Sequence, residues 1–216
     1  MVVKIKIKDV VYDDIKKKIL AGHYGPDDRI VDLDVAEQMN VSRMPVREAL
    51  LQLQTEGYLR VTTRGFALRQ FSLREIEDIF DIRSLLEPYA AKLAVDAGTP
   101  ELIETLRARL DDGARALAVD SISGTMDANR AFRSAWLAIV SNERLIVTIN
   151  HLQDHIETVR LATLKFKQAR EASHLANRQL LEAFEQKNGD LAMRLVKADL
   201  ANALQYYKVF CAPAEA

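Results

Sequence analysis

Between Asp32 and Gly57 two amphipathic segments follow each other so closely that the chain must turn sharply from one into the next. The first, Asp32–Asn40, places Leu33, Ala36 and Met39 inward at helical spacing; the second does the same with Val46, Ala49, Leu50 and Leu53. Only Val41 lies between Asn40 and Ser42. Ser42 is a residue type that caps helix starts, and Pro45 falls in a first turn, where a missing N–H costs nothing. A third segment, residues 9–21, carries a stripe of Val10, Val11, Asp14, Ile15, Lys18 and Ile19, with Gly22 at its end. After Gly57, YLRVTT and FALRQF alternate like short strands around a tight turn at Arg64-Gly65. Helix, helix, helix, hairpin is the order of a winged helix-turn-helix.

From Ser72 the pattern changes. Ser72 followed by Glu75 reads as a capping box. Ile76, Ile79, Phe80, Arg83, Leu86, Ala90, Leu93 and Ala94 then mark one long amphipathic helix. Thr99-Pro100 opens another, to about Val119, and further helices fit 127–141, 143–166, 168–187 and 189–210, with breaks at Asn142 and Gly189. The chain of 216 residues holds only 8 Gly and 5 Pro, which favours long helices. The expected fold is mainly α: a winged helix-turn-helix over residues 1–70, then an all-α bundle over 71–216.

Charge permits nucleic acid without announcing it. The net charge is −1, and residues 1–70 carry 12 basic against 10 acidic side chains. A single cysteine, Cys211, excludes an internal disulfide and suits a reducing cytosol. MVVKIKIKDV lacks the apolar core of a signal peptide, and no apolar run approaches the ~18 residues that span a bilayer. The expectation is a cytoplasmic protein with no membrane partner.

The second helix of such a motif lies in the major groove with its first residues at the base edges. Here those residues are Ser42, Arg43, Met44, Pro45 and Arg47. Arginine donates bidentately to guanine, and Ser42 with the exposed N–H groups can bind phosphate. Thr62, Thr63 and Arg64 at the hairpin tip can reach phosphate or the minor groove. The same arginines also read as solvated charges on a well-capped helix, and spacing does not choose between the two.

The run YDDIKKKILAGHYGPDDRIVDLDVAEQMNVSRMPVREALLQLQTEGYLRVTTRGF resembles the DNA-binding domain of the GntR family of bacterial transcription regulators, FadR-like branch, with VSRMPVREAL and LQTEGYLRV its most specific parts. The resemblance implies operator contacts by Arg43 and Arg47 and by a wing-tip glycine, Gly65. Leu33 stands where the family often has a DNA-contacting arginine, and Met44 where threonine is usual. FDIRSLLEPYAAKLA resembles the opening of the family's helical ligand-binding domain, called FCD.

Many FCD domains hold a divalent metal on one Asp and three His. The matching positions here are Asn129, Arg133, Asn177 and Asp199, so none keeps its usual ligand and no metal cofactor is expected. Arginine has no lone pair to give a metal. It clamps carboxylates instead. Asn129 and Arg133, four apart, share a helix face. The expected effector is a small carboxylate held by Arg133 with Asn129, Asn177 and Asp199, and with Arg83 as a further lining residue. Two structural alternatives stand beside this: Asp199 pairing with Arg133, and Arg83 pairing with Glu87. His151 and His155 read as a solvated or core-edge pair, His174 as a displaced ligand only if the register shifts, His23 as inert, and Trp136 with Phe132 as core.

The expected protein is thus a homodimeric repressor-type regulator of double-stranded operator DNA, answering to a small acid. A metal-dependent regulator is the alternative. An all-α enzyme is disfavoured, because no nucleophile–base pair, P-loop or dinucleotide fingerprint is present. A protein–protein adaptor predicts no DNA retention at physiological salt.

Overall fold

The computed structural model describes residues 6–25, 28–155 and 157–210. The chain divides into two compact units, Met1–Ser72 and Leu73–Ala216. Cys211 lies outside the described residues.

The first unit runs α1 (Ile7–Leu20), α2 (Asp32–Met39), α3 (Arg43–Thr55), β1 (Leu59–Thr62) and β2 (Gly65–Leu68). Val11, Ile15 and Ile19 of α1 and Val46, Ala49, Leu50 and Leu53 of α3 form the core, closed by Leu59, Phe66 and Leu68 of the hairpin. This is the winged helix-turn-helix that the sequence order implies.

Four local expectations change. Val10 is half exposed, because the i, i+4 series Val11–Ile15–Ile19 is what faces the core. In α2 the inward face is Asp32, Val35 and Ala36, and Leu33 is exposed. Starting the helix at Asp32 turns Leu33 to the flank. Ser42 occupies the extended position before α3, yet its side chain makes no capping hydrogen bond. The hairpin loop is Thr63-Arg64 rather than Arg64-Gly65, since Gly65 pairs with Thr62.

Gly65 is a strand residue with φ of 102°, a region that disfavours side chains. A Cβ there would stand 2.6 Å from the Ile30 carbonyl oxygen. Ile30 must come that close because its N–H donates to the Phe66 carbonyl at 2.8 Å and its carbonyl accepts from the Phe66 N–H at 2.9 Å. Gly65→Ala is therefore expected to cost about 2 kcal/mol by strain alone. Thermal melting of the variant checks this, and an unchanged melting temperature would rule out the steric account.

The second unit is all-α: α4 (Leu73–Asp96), α5 (Pro100–Ala118), α6 (Ile122–Leu137), α7 (Glu143–His155), α8 (Glu157–Thr163), α9 (Lys167–Glu185) and α10 (Gly189–Phe210). Helix α4 passes through a buried Pro88. Thr99 caps α5, its hydroxyl accepting from the Leu102 N–H. Helix α6 starts five residues before its expected position, because Ser121 caps it by accepting from the Gly124 N–H. The expected helix 143–166 comprises α7 and α8, on either side of residue 156, which is outside the described residues. It stops at Thr163, since Phe166 is extended and begins α9. Helix α10 lies along α4 and α9, and α5 along α6. At the start of α10, a Cβ on Gly189 would sit 2.9 Å from Lys92 Cγ of α4, so the glycine lets the two helices approach.

Candidate DNA-reading face and effector cavity

Arg43 and Arg47 are one turn apart on α3, each with a side chain 59% exposed. Ser42 and Met44 beside them are exposed as well, and Pro45 is half-buried. At the hairpin tip Thr63 and Arg64 are exposed, and the Thr62 hydroxyl donates to the Gly65 carbonyl at 3.1 Å, bracing the loop. The residues expected to meet DNA are thus accessible on α3 and on the hairpin. Leu33, at the position where the family often has an arginine, is exposed too.

Sequence reasoning missed Asp32. It is buried at the first position of α2. Its Oδ1 lies 2.9 Å from Arg43 Nη2, and its Oδ2 lies 3.6 Å from Arg47 Nη1. The Arg43 hydrogen bond holds the carboxyl below its usual range despite the opposing effect of burial. One buried anion thus restrains both guanidiniums through their terminal nitrogens. The signal was present as an acidic residue opening the helix before two arginines, but only the fold brings them together.

In the second unit one cavity of about 150 Å³ gathers Arg83, Asn129, Arg133, Asn177 and Asp199. Four helices supply them: Arg83 from α4, Asn129 and Arg133 from α6, Asn177 from α9 and Asp199 from α10. Glu87 is the hub. It is 2% exposed. Arg83 Nε donates to its Oε1 at 2.5 Å, and Arg133 Nη2 lies 2.8 Å from its Oε2. Burial pushes the Glu87 carboxyl up, but Arg83 and Arg133 outweigh it and hold the group at about 2. Arg133 also lies over the Trp136 ring at 6.0 Å, and Arg83 over Phe80 at 4.9 Å.

The expected Arg83–Glu87 ion pair is present, and Arg133 joins it. The other structural alternative, an Arg133–Asp199 pair, is replaced by Arg133–Glu87, because Glu87 is the carboxylate already buried beside the guanidinium. Asn177 Nδ2 donates to Asn129 Oδ1 at 2.9 Å, and Asn129 Nδ2 donates to the Ser173 hydroxyl at 2.9 Å. Asp199 is half-buried on the cavity wall. Burial pushes it up to about 6 against the pull of Arg83, Arg160 and Arg133. Arg160, Thr163, Asn202 and Tyr206 also line the cavity and were not singled out in the sequence.

This donor set does not fit a divalent cation. Of the carboxylates lining it among the described residues, Glu87 is claimed by two guanidiniums, and only Asp199 remains. Among the described residues no imidazole lines the cavity, and Arg133 would repel a cation where a ligand is needed. His174 packs by Gly113 of α5, its Nδ1 3.2 Å from where a Cβ on that glycine would be. Burial, then Arg178, lowers its pKa. His151 and His23 are exposed, and the His155 side chain lies outside the described residues. Phe132 and Trp136 are core, and Trp136 lines the cavity as well. No helix among the described residues is long and apolar enough to cross a membrane.

A winged helix-turn-helix with an arginine-bearing recognition helix, followed by an all-α unit around a charged cavity, defines a class: DNA-binding regulators with an effector domain. Residues 7–66 match the bacterial regulatory proteins, gntR family, and residues 78–202 match the FCD domain. The chain belongs to the gntR family of transcription regulators that carry an FCD domain. It is 27% identical to the HTH-type transcriptional regulator YdhC of Bacillus subtilis (strain 168), covering 91% of this chain and 89% of that protein. It is 31% identical to the Nta operon transcriptional regulator of Aminobacter aminovorans over 74% and 76% of the two chains. The solved structure of E. coli McbR/YncC superposes with a TM-score of 0.83 at 25% identity, covering 95% of this chain and 99% of that one. These relatives are transcription regulators, not enzymes.

Proposed function

We propose that the protein is a cytoplasmic, homodimeric repressor whose hold on operator DNA changes when a small carboxylate enters the FCD cavity without a metal. One observation carries the effector half: a guanidinium, Arg133, faces a cavity whose usual cation-binding positions are otherwise filled by Asn129, Asn177 and Asp199. Arginine forks onto carboxylates through two hydrogen bonds. Exposed Arg43 and Arg47 on α3 support the DNA half, and Thr63, Arg64 and Gly65 of the hairpin add backbone contacts. One recognition helix covers a half-site, so two copies read an inverted repeat about one helical turn apart. A dimer seated on such a site represses by excluding the transcription machinery. The effector acts by favouring one arrangement of the DNA-binding units over another.

The test begins with duplexes enriched from random sequence on the full-length protein. Retention is expected to fall steeply as salt rises from about 50 to 200 mM, because phosphate contacts release counterions. No retention at physiological salt overturns the DNA reading. Purified protein is expected to hold less than stoichiometric divalent metal by elemental analysis; one ion per chain overturns the metal-free cavity. Arg133→Ala is expected to weaken binding of any effector carboxylate by roughly 100-fold, on the scale of a lost charge-assisted bidentate pair. Calorimetry checks it, and wild-type affinity in the variant would make Arg133 purely structural.

A further inference from the structure

Two side chains of opposite charge face the cavity with hydrogen-bonding capacity unspent. On α6, Arg133 Nη2 is 2.8 Å from Glu87 Oε2, yet that buried nitrogen has no well-aligned hydrogen bond. On α10, Asp199 lines the same cavity and, among the described residues, is reached only by through-space interactions from Arg83, Arg160, Glu87 and Arg133. Buried charges are costly unless paired. Both groups therefore call for partners from a ligand.

The charges of the set choose the ligand. Arg83 and Arg133 are both held by Glu87, whereas Asp199, among the described residues, feels Arg83, Arg160 and Arg133 only through space. A plain carboxylate would satisfy Arg133 but bring a second anion toward Asp199 and give that carboxylate no hydrogen-bond donor. A hydroxy acid would give Asp199 one hydrogen bond and still add a negative charge. A molecule with a carboxylate and an ammonium supplies both partners and adds no net charge. We propose that the cavity binds a zwitterionic amino acid, with its carboxylate on Arg133 and its ammonium on Asp199. This rests on the effector reading above and narrows it from carboxylates to amino acids.

Size and lining narrow it further. A cavity of about 150 Å³ is the size that holds a benzene molecule. Phe80, Trp136, Leu180 and Leu200 make its apolar walls. The fitting ligand is a small amino acid with a short apolar side chain. Asp199 must be ionised to hold the ammonium. Around it stand Arg83 and Glu87 of α4, Arg133 of α6 and Arg160 of α8. With Asp199 titrating near 6 among these groups, amino-acid affinity is expected to fall as pH drops below that value.

Calorimetry on the full-length protein with matched carbon skeletons tests the proposal: alanine, lactate and propionate, then valine, 2-hydroxyisovalerate and isovalerate. The amino acid of at least one series is expected to bind at least tenfold tighter than its two analogues, about 1.4 kcal/mol. Asp199→Asn is expected to erase that preference without weakening the hydroxy acid, whereas Arg133→Gln weakens all three. In both series, an analogue binding as tightly as its amino acid overturns the proposal and leaves the carboxylate-effector reading intact. So does amino-acid affinity within about twofold of wild type in Asp199→Asn. Binding to none of the six overturns the proposal; the effector reading falls only if a wider set of carboxylates also fails to bind or to alter DNA affinity. Should Asp199→Asn not fold, wild-type amino-acid affinity that is constant between about pH 5 and 8 overturns the role of Asp199.

Discussion

Glu87→Gln is expected to destabilise the C-terminal unit by on the order of 3 kcal/mol, the cost of leaving buried charge without its partner. Arg83 and Arg133 converge on this carboxylate from α4 and α6. With glutamine both guanidiniums stay buried and lose the charge of Glu87. For a domain of this size the loss corresponds to a melting shift of about 10 °C. The pH dependence has a definite sign. The Glu87 carboxyl titrates at about 2 in the fold, below its ordinary value of 4.5. Its stabilisation is fully present above pH 4.5 and is lost as pH falls from 4.5 towards 2. Wild type and variant should therefore differ most at neutral pH and converge in acid. A neutral-pH melting difference below about 2 °C would show that the triad contributes little.

The double substitution Arg43→Ala, Arg47→Ala is expected to weaken binding to an enriched operator duplex by at least roughly 100-fold, as two base-directed guanidiniums are lost. Its melting temperature should fall as well, because buried Asp32 loses both partners, so binding is measured well below the transition. Asp32→Asn separates two explanations of the same face. If Asp32 merely repels phosphate, removing its charge should tighten binding to every duplex. If it orients the arginines, the variant should bind random DNA somewhat better and the operator several-fold worse. Fluorescence anisotropy on operator and scrambled duplexes distinguishes them, and tighter operator binding would sink the orienting role.

Much of the architecture was legible because it rests on periodicity. Val46, Ala49, Leu50 and Leu53 repeat at helical spacing, and all four are buried. Thr99-Pro100 is a helix start that local chemistry dictates, and the capping bond forms. Errors arose where a tertiary contact overrode the local pattern. Leu33 looked inward because it is apolar; the charged Asp32 is inside instead, as two arginines come to meet it. The hairpin turn moved by one residue because Ile30 pairs with Phe66 and draws Gly65 into the strand.

For the cavity, the sequence alone determined the helices, the family resemblance and the residue types at the positions expected to face the cavity, since these depend on residue identity and short-range spacing. It even brought Arg83 and Glu87 together, as neighbours one turn apart on a single helix. What it could not decide was which charges remain unspent. Glu87 and Arg133 are far apart in the chain and on different helices, so only the packing of α4 against α6 assigns that guanidinium to Glu87 and leaves Asp199 without a direct partner among the described residues. Electrostatic pairing depends on distances of a few ångströms, and those exist only once the helices are assembled.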